Sequence, residues 1–316
     1  MKKRALGSSN LQVSVIGVGC MNFGPMCPQP MATAIVDKAF GLGINFFDVA
    51  DIYGGTMGLS ESILGKALGS RRHEAIVATK FGAKLGAGGG AGQGLGQASC
   101  IATAVENSLR SLGTDYIDLY QHHFPDPATP LEETLRALDK LVTQGKVRYI
   151  GCSNYSAAQV TAAMDIVGKA GLEPFVSAQN RYSLITRDIE AELVPACLRL
   201  KLGILPYFPL ESGLLTGKYR QGQPLPADSR FAKWRGGGAF ASEARYRIVE
   251  RLQALAGTMG RSVLDLAIGW LAAQPGVASV IAGVTRPDQL EQNAAAGSWQ
   301  PTPEQLADIA ACVDAA

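Results

Sequence analysis

Four side chains with ionisable or hydrogen-bonding groups lie at or just after the ends of three short apolar segments. The side chains are Asp48, Tyr53, Lys80 and His123. The segments span residues 45–50, 75–80 and 116–123, and each is typical of a β-strand. A phenol beside an ammonium group, with a carboxylate and an imidazole nearby, is a set that can move a proton onto a carbonyl oxygen. If the strands are parallel neighbours, their C-terminal ends meet at one opening and the four groups converge.

The phenol of Tyr53 is the proton donor in this interpretation. Free tyrosine has a pKa of about 10, and an adjacent Lys80 ammonium would lower this value because a cation stabilises the phenolate. Asp48 would hold Lys80 charged and aimed, and His123 would orient the carbonyl group by hydrogen bonding. Because no side chain can donate a hydride, reduction of the carbonyl carbon implies a nicotinamide cofactor.

Each of these residues also has a purely structural explanation. Asp48 could cap a turn, and Tyr53 could pack on the rim of the fold. Lys80 could extend its stem along an apolar surface, and His123 could be a core histidine. A structural role is the better explanation for any one of them alone. The joint presence of all four at one predicted opening favours a catalytic site.

The composition excludes several classes of function. The chain has 316 residues, of which 47% are hydrophobic and 18% are charged, and its formal net charge is +2. This balance does not predict a nucleic-acid surface, and no apolar run approaches the roughly 20 residues that cross a bilayer. Three histidines and six scattered cysteines offer no metal-binding spacing. The scattered cysteines, and the lack of a signal-peptide core after Met1, predict a cytoplasmic protein.

Strand-like and helix-like segments alternate along most of the chain. The strand candidates span residues 16–20, 45–50, 75–80, 116–123, 147–153, 175–179, 203–207 and 277–282. The helix candidates span residues 33–42, 61–68, 101–112, 131–144, 157–170, 188–200, 242–256, 263–274, 287–296 and 303–313. This α/β alternation predicts a (β/α)₈ TIM barrel with an N-terminal β-hairpin, at residues 4–6 and 13–15, and extra C-terminal helices. We expect residues 1–316 to form this single domain.

An open, doubly wound α/β sheet is the competing fold. It would place a glycine-rich phosphate loop after its first strand. Gly17 and Gly19 fit the start of that motif, but Asn22 occupies the third glycine position and prolines follow. The sequence therefore favours the barrel, whose catalytic groups lie in the loops at the C-terminal ends of its strands.

Two segments interrupt the alternation. Residues 82–97 are almost all Gly, Ala, Gln and Leu and cannot bury a core, so we predict a mobile loop over the opening. A tolerated insertion without a role is the alternative. Residues 214–240 are rich in Gly, Pro and Arg and are long enough to fold over a bound ligand.

Polar and aromatic groups also follow the later strands. Ser153 and Asn154 end one strand, Gln179 ends the next, and Tyr207 ends the third. Hydroxyl and amide groups suit a carboxamide, and a tyrosine offers a flat face to a pyridine ring. Arg286 precedes a predicted helix N-terminus, a combination that suits a phosphate. A solvated arginine at a helix start is the alternative.

These motifs together resemble the aldo-keto reductase family over nearly the whole chain. The matching segments span residues 47–54, 76–80, 115–126, 150–154, 179–184, 213–219 and 280–293. The resemblance implies a (β/α)₈ barrel that uses NAD(P)H without a metal. It also implies that Tyr53 is the acid, that Lys80 and Asp48 support it, and that His123 orients the substrate.

The resemblance further implies which residues would bind the cofactor and the substrate. Those for the nicotinamide end are Ser153, Asn154, Gln179 and Tyr207. Those for the pyrophosphate are Leu210, Gly213 and Lys218, and those for the adenosine end are Gly283, Thr285, Arg286, Gln289 and Asn293. Together with Tyr53, the side chains that would wall the substrate pocket are Met21, Phe81 and Phe124.

Two positions matter most in this comparison. The family motif selects His123, and His122 takes a position that is usually apolar. Because neighbouring residues of a strand point to opposite faces, His122 should face the helices or lie in the turn.

Phe208 stands where the family often has a small hydroxyl residue. The phenylalanine cannot make the side-chain hydrogen bond to the cofactor that such a hydroxyl could make.

Two functions fit the sequence. The first is an NADPH-dependent carbonyl reductase that converts a small aldehyde or ketone to an alcohol, with NADH as the alternative cofactor. The second is a cofactor-binding regulatory subunit, because potassium-channel β-subunits resemble this barrel and a fold alone does not decide between them. The short segment before the hairpin favours the enzyme, since it offers no long extension that could act on a channel.

Overall fold

A computed structural model describes residues 1–85, 90–226, 229–233 and 242–314. The chain begins with an antiparallel hairpin of β1 (Lys3–Ala5) and β2 (Gln12–Ser14). The following strands are β3 (Ile16–Gly19), β4 (Phe46–Asp48), β5 (Ile76–Phe81), β6 (Ile117–His122), β7 (Val147–Ser153), β8 (Phe175–Arg181), β9 (Gly203–Tyr207) and β10 (Val280–Gly283). These eight strands form one parallel sheet in the order β10-β3-β4-β5-β6-β7-β8-β9.

The sheet closes between its first and last members. The Ile204 amide of β9 donates to the Gly276 carbonyl at 2.8 Å, and the Ala278 amide donates to the Ile204 carbonyl at 3.0 Å. These bonds join β9 to the segment that leads into β10 and complete a barrel. The predicted (β/α)₈ TIM barrel with its N-terminal hairpin is therefore confirmed. That residues 1–316 form a single domain stays a prediction.

Helices surround the barrel and follow its strands. In chain order they are α1 (Gln29–Gly41), α2 (Leu59–Leu68), α3 (Ala98–Leu112), α4 (Leu131–Thr143), α5 (Ala157–Ala170), α6 (Leu193–Leu200), α7 (Arg230–Lys233), α8 (Glu243–Thr258), α9 (Val263–Ala272), α10 (Pro287–Ser298) and α11 (Pro303–Asp314). Short 3₁₀ segments lie at Cys20–Asn22, Gly69–Glu74, Asp188–Glu190 and Glu211–Thr216. The last two helices confirm the predicted C-terminal additions.

Some predicted boundaries were wrong for identifiable reasons. The helix predicted from residue 188 begins at Leu193, because Pro195 has no amide to donate and fits only the first turn of a helix. The strand predicted from residue 277 begins at Val280, and Val277 makes only a single bridge. Within the predicted loop 214–240, α7 is an additional helix, while residues 227–228 and 234–240 lie outside the described part of the chain.

Alternation along the strands gives the barrel interior an apolar base and a polar top. Phe46, Ala78, Leu119 and Leu205 belong to a core cluster inside the barrel that also contains Leu6 of the hairpin loop. Two residues further along the same strands, in the C-terminal direction, the interior carries the four polar side chains of Asp48, Lys80, Gln121 and Tyr207. The hairpin thus closes the N-terminal end of the barrel, and the polar side chains meet at the C-terminal end.

Gly7 lets the hairpin loop pack tightly against the bottom of the barrel. Its φ angle is +56°, and a Cβ at this position would lie 2.2 Å from the Val176 carbonyl oxygen and 2.7 Å from the Gly203 amide nitrogen. A side chain there would meet backbone atoms, which cannot rotate away. The seating of the hairpin therefore depends on a residue without a side chain.

Gly7→Ala should lower the free energy of unfolding by roughly 2 to 4 kcal/mol in urea denaturation, because the added methyl group clashes in addition to straining the backbone. Gly113→Ala is the matched control, since Gly113 also has a positive φ, of +65°, but open space around its missing Cβ. The control should lose only about 1 kcal/mol. Equal losses in the two variants would contradict the packing role of Gly7.

Candidate active site

Lys80 lies at the centre of the polar top of the barrel. Its side chain is fully buried, and its Nζ donates to Asp48 Oδ1 at 2.6 Å and to the Val49 carbonyl at 3.0 Å. The third donor reaches the Tyr53 hydroxyl at 3.4 Å. An ammonium group has three donors, so the three short-range partners account for all of them. The structure therefore brings Asp48, Tyr53 and Lys80 together as the sequence predicts.

Asp48 is held from its other side by two amides. Its Oδ2 accepts from Gln179 Nε2 at 2.7 Å and from Gln121 Nε2 at 3.5 Å. The carboxylate therefore lies between one cation and two amide donors, which together fix its direction. The sequence analysis did not identify Gln121 as a site residue. Its position two residues before His123 could have indicated that its side chain faces the barrel interior.

The electrostatics of the pair favour a charged lysine and a protonated tyrosine. Burial alone would lower the pKa of Lys80, but Asp48 and Tyr53 outweigh it and leave the pKa above its ordinary value. Burial raises the pKa of Tyr53, whereas Lys80 lowers it, and the net direction is upward. The lowering effect expected of Lys80 is present but smaller than the effect of burial. Tyr53 consequently keeps its proton at neutral pH, which is the form that a proton donor needs.

His123 follows β6 and lies edge-on to the Tyr53 ring, with the ring centroids 5.9 Å apart and the planes at 82°. Its amide donates to the Phe81 carbonyl at 2.8 Å, and its carbonyl accepts from Asn154 Nδ2 at 2.9 Å. Burial, Lys80 and His122 hold the pKa of His123 well below its usual value, so the imidazole is neutral. Within the described residues its Nδ1 has no hydrogen-bond partner.

His122 occupies a different environment. It stacks on Phe81 with ring centroids 4.9 Å apart, and its Nδ1 lies 2.8 Å from the Tyr155 hydroxyl, in the layer between the sheet and the helices. Burial lowers the pKa of His122 to about 4, so this imidazole is also neutral. The adjacent histidines thus point to opposite faces of the sheet, and only His123 reaches Tyr53.

The residues predicted for the nicotinamide end form a hydrogen-bonded group around Asn154. Its Oδ1 accepts from the Tyr207 hydroxyl at 2.7 Å, and its Nδ2 also lies 3.1 Å from Ser153 Oγ. Asn154 adopts a φ of +60°, a conformation that favours glycine and asparagine. We call Asp48, Tyr53, Lys80 and His123 the tetrad. Through its bond to the His123 carbonyl, Asn154 connects the ends of β7 and β9 to this tetrad.

The residues predicted for the phosphates and the adenosine lie on two further segments. Leu210, Gly213 and Lys218 belong to the turn after β9, where a Cβ on Gly213 would lie 3.3 Å from Lys218 Nζ. Gly283, Thr285, Arg286, Gln289 and Asn293 lie at the end of β10 and along α10. Gln289 Oε1 accepts from the Thr285 amide at 2.8 Å. Arg286 makes two bonds to Asp288, at 3.0 and 3.1 Å.

The sequence model of the Aldo/keto reductase family matches residues 15–314. The chain belongs to the aldo/keto reductase family. It is therefore an NAD(P)H-dependent oxidoreductase, and small carbonyl compounds are the substrates on which this family acts.

Three relatives illustrate the range of this aldo/keto reductase family. A probable voltage-gated potassium channel subunit beta from Oryza sativa subsp. japonica is 36% identical over 99% of this chain and 97% of its own length. Probable aldo-keto reductase 1 from Glycine max is 34% identical over 96% of this chain and 86% of its own length. The uncharacterized oxidoreductase YqkF from Bacillus subtilis (strain 168) is 34% identical over 97% of this chain and 94% of its own length.

Of the three side chains expected to wall the substrate pocket, one lies elsewhere. Met21 and Phe124 are partly buried, and Phe124 stacks on His123 with ring centroids 5.0 Å apart. Phe81 is fully buried and packs against Tyr120 and His122 on the helix-facing side of β5. Because Lys80 points into the barrel, its neighbour on the strand must point outward. Placing Phe81 in the pocket was therefore wrong.

The glycine-rich loop of the reductase is held at its second half. Gly94 and Gly96 donate their amides to the Asp126 carboxylate at 3.2 and 2.9 Å, and Thr134 Oγ1 donates to the Gly96 carbonyl at 2.9 Å. Asp126 lies three residues after His123, so the loop is tied to the segment that carries the histidine. Residues 86–89 of the loop lie outside the described residues. No sequence pattern indicated this anchor, because Asp126 resembles an ordinary loop carboxylate.

Two further features concern metal binding and membrane insertion. Among the residues that the structure describes, no group of three or more His, Cys, Asp or Glu side chains could hold a metal ion. Within the same part of the chain, none of the helices combines the length and the apolar character needed to cross a membrane.

A second buried carboxylate, that of Asp51, lies near the tetrad. Asp51 is buried, and its amide and carbonyl bond to the Lys80 carbonyl and the Gly58 amide at 3.2 and 2.7 Å. Burial and the nearby Glu61 raise the pKa of Asp51 from 3.8 to about 7. Asp51 is therefore protonated in the folded protein at pH values where the unfolded chain has already lost the proton. Stability from this proton is present below pH 4 and is lost as the pH rises towards 7.

Asp51→Asn should remove this pH dependence. An amide cannot ionise, so the variant should gain stability relative to the parent protein as the pH rises from 4 to 7, by roughly 1 to 4 kcal/mol in all. Chemical denaturation at several pH values measures the difference. Parallel stability curves for the two proteins would show that Asp51 does not titrate in this range.

Substitution of the adjacent histidines should separate their roles. His123→Gln should lower turnover strongly in a folded protein, because the imidazole beside Tyr53 is lost. His122→Gln should mainly lower stability, by roughly 0.5 to 3 kcal/mol, because it removes the Phe81 stack and the Tyr155 hydrogen bond. Steady-state kinetics and thermal unfolding of both variants give the comparison. The reverse pattern would mean that His122 is the residue that serves the reaction.

Proposed function

We propose that this family member is an NADPH-dependent carbonyl reductase that converts an aldehyde or ketone to an alcohol. The observation that carries the proposal is the Tyr53 hydroxyl, which lies 3.4 Å from the Nζ of a fully buried Lys80 that is itself paired with Asp48. His123 stands at the edge of the same tyrosine ring. A phenol in this position can give its proton to a carbonyl oxygen.

The residues around the tetrad fit a nicotinamide dinucleotide. The tyrosine ring of Tyr207 and the hydroxyl and amide groups of Ser153, Asn154 and Gln179 suit the nicotinamide and its carboxamide. The Gly213 turn with Lys218 and the N-terminus of α10 with Arg286 suit the phosphates, since both combine positive charge with close backbone approach. When bound, the reduced nicotinamide supplies the hydride that the carbonyl carbon requires.

The side chains of the protein then orient the carbonyl group and supply its proton. Neutral His123 donates a hydrogen bond that orients the carbonyl oxygen towards the Tyr53 hydroxyl. Tyr53 transfers its proton to that oxygen, and the Lys80 ammonium stabilises the phenolate that results. Asp48 keeps Lys80 charged during the transfer. Because Tyr53 remains partly exposed, water can return the proton for the next cycle.

We propose NADPH as the preferred cofactor because of Arg286. Its guanidinium group, at the N-terminus of α10, can pair with the phosphate that distinguishes NADPH from NADH. The side chains of Arg286 and Asp288 are 54% and 52% exposed, so their ion pair is weak and a phosphate can replace the carboxylate.

We further propose that the enzyme is cytoplasmic. Free buried cysteines such as Cys20 and Cys152 fit the reducing conditions of that compartment.

A regulatory role is the second candidate. Two relatives, from rice and from Arabidopsis thaliana, are each named as a probable voltage-gated potassium channel subunit beta, at 36% and 35% identity. A regulatory subunit would bind the dinucleotide without sustained turnover, whereas a reductase must release the oxidised cofactor in every cycle. The buried ion pair beneath Tyr53 is costly to maintain and supports the enzyme.

Tyr53→Phe tests the proposed proton donor. The variant keeps the ring but loses the hydroxyl, so turnover should fall by roughly 10²- to 10⁴-fold. NADPH binding, followed by its fluorescence, should barely change because the ring still fills the same space. Turnover close to that of the parent protein would exclude Tyr53 as the acid.

Paired substitutions at the start of α10 test the cofactor preference. Arg286→Ala should raise the KM for NADPH far more than the KM for NADH, with a loss of roughly 1.5 to 3 kcal/mol in NADPH binding. Asp288→Asn should act in the opposite direction, because it removes the carboxylate that competes with the phosphate. Kinetics with both cofactors measure the effects. If Arg286→Ala weakened NADH and NADPH equally, Arg286 would not recognise the phosphate.

A further inference from the structure

The turn after β9 has an unusual backbone. Phe208, Glu211 and Ser212 have φ angles of +52°, +46° and +56°, in the region that favours glycine. Such a conformation costs on the order of 1 kcal/mol or more for each residue and persists only where other contacts enforce it. The same turn carries Gly213, which the proposed function assigns to the phosphates of the cofactor. The contacts that enforce this turn are therefore part of the cofactor site.

Glu211 provides those contacts. Its side chain is completely buried and binds two arginines, Arg181 at the end of β8 and Arg245 in the first turn of α8. Arg245 Nη1 lies 2.9 Å from Glu211 Oε2, and Ser183 Oγ donates to Oε1 at 2.7 Å. Both carboxylate oxygens are thus engaged. A buried carboxylate with these partners strongly resists displacement, because removing it would leave charges unpaired.

The three charged groups connect separate parts of the chain. Arg181 belongs to the barrel wall, Glu211 to the turn, and Arg245 to a helix that begins 30 or more residues after β9 ends. Lys218 also lies close to the turn, since a Cβ on Gly213 would be 3.3 Å from its Nζ. Its positive charge favours a phosphate-bearing ligand at the turn.

We propose that Glu211 and Arg245 form a latch that keeps the turn at residues 208–213 in its ligand-binding shape and thereby slows dissociation of the dinucleotide. The proposal rests on the proposed function, in that the dinucleotide is taken to bind at this turn. Opening the latch releases α8 from the turn and lets the strained residues relax. Arg245 acts through Glu211, so it is a positioning residue and not a catalytic one.

Arg245→Ala tests the latch, with Arg247→Ala as the matched control. Arg247 lies on the same helix, its side chain is 61% exposed, and its Nη2 lies 3.7 Å from Glu243 Oε1. Stopped-flow displacement of bound NADPH gives the dissociation rate, and hydrogen exchange without cofactor reports on the amides of residues 208–217. Arg245→Ala should raise both the NADPH dissociation rate and the exchange of these amides by about 10- to 100-fold, the worth of a charge-assisted hydrogen bond. Arg245→Lys should restore part of the effect, and Arg247→Ala should match the parent protein.

The outcomes separate the latch from the proposed function. Unchanged exchange and an unchanged dissociation rate in folded Arg245→Ala would overturn the latch while leaving NADPH binding intact. Faster exchange with an unchanged dissociation rate would overturn its role in holding the cofactor. A parent protein that binds no NADPH would overturn the proposed function, and the proposed role in cofactor release would fall with it.

Discussion

The site depends on a charged lysine buried inside a barrel. An ammonium group in this position is stable only if a carboxylate lies beside it and the remaining donors find acceptors. Asp48, the Val49 carbonyl and the Tyr53 hydroxyl meet that requirement around Lys80. Removing one charge of such a buried pair typically costs about 3 to 5 kcal/mol. The same arrangement that stabilises Lys80 also places its ammonium group beside the Tyr53 hydroxyl, where it partly offsets the cost of burying a phenolate. Stability and chemistry therefore share one set of contacts.

The barrel accommodates this buried ion pair because its interior is divided into an apolar base and a polar top. The inward-facing residues near the base, such as Phe46 and Leu119, are apolar and are covered by the hairpin. The next inward-facing residues on the same strands are polar and meet at the other end. Gln121 and Gln179 then restrain Asp48 from neighbouring strands. Because parallel strands align their C-terminal ends, residues far apart in the sequence reach one small space without strain in the strands that carry them.

Much of this could be predicted from the sequence, because it depends on local patterns. The alternation of apolar strands with helices predicted the barrel, and strand ends predicted the proximity of Asp48, Tyr53 and Lys80. The error at Phe81 came from strand parity, since a residue next to inward-facing Lys80 must face the helices. Asp126 and Glu211 were missed because each looks like an ordinary loop carboxylate. Their partners lie about 30 residues away in the sequence, and only the folded chain brings them together.

The most direct test of the central claim is the oxidation of NADPH and of NADH by the purified protein with a panel of small aldehydes and ketones. We expect sustained, substrate-dependent oxidation of NADPH, faster than that of NADH, with the corresponding alcohol as product. Tight binding of NADPH without turnover on any carbonyl compound of the panel would contradict the reductase and favour a regulatory subunit.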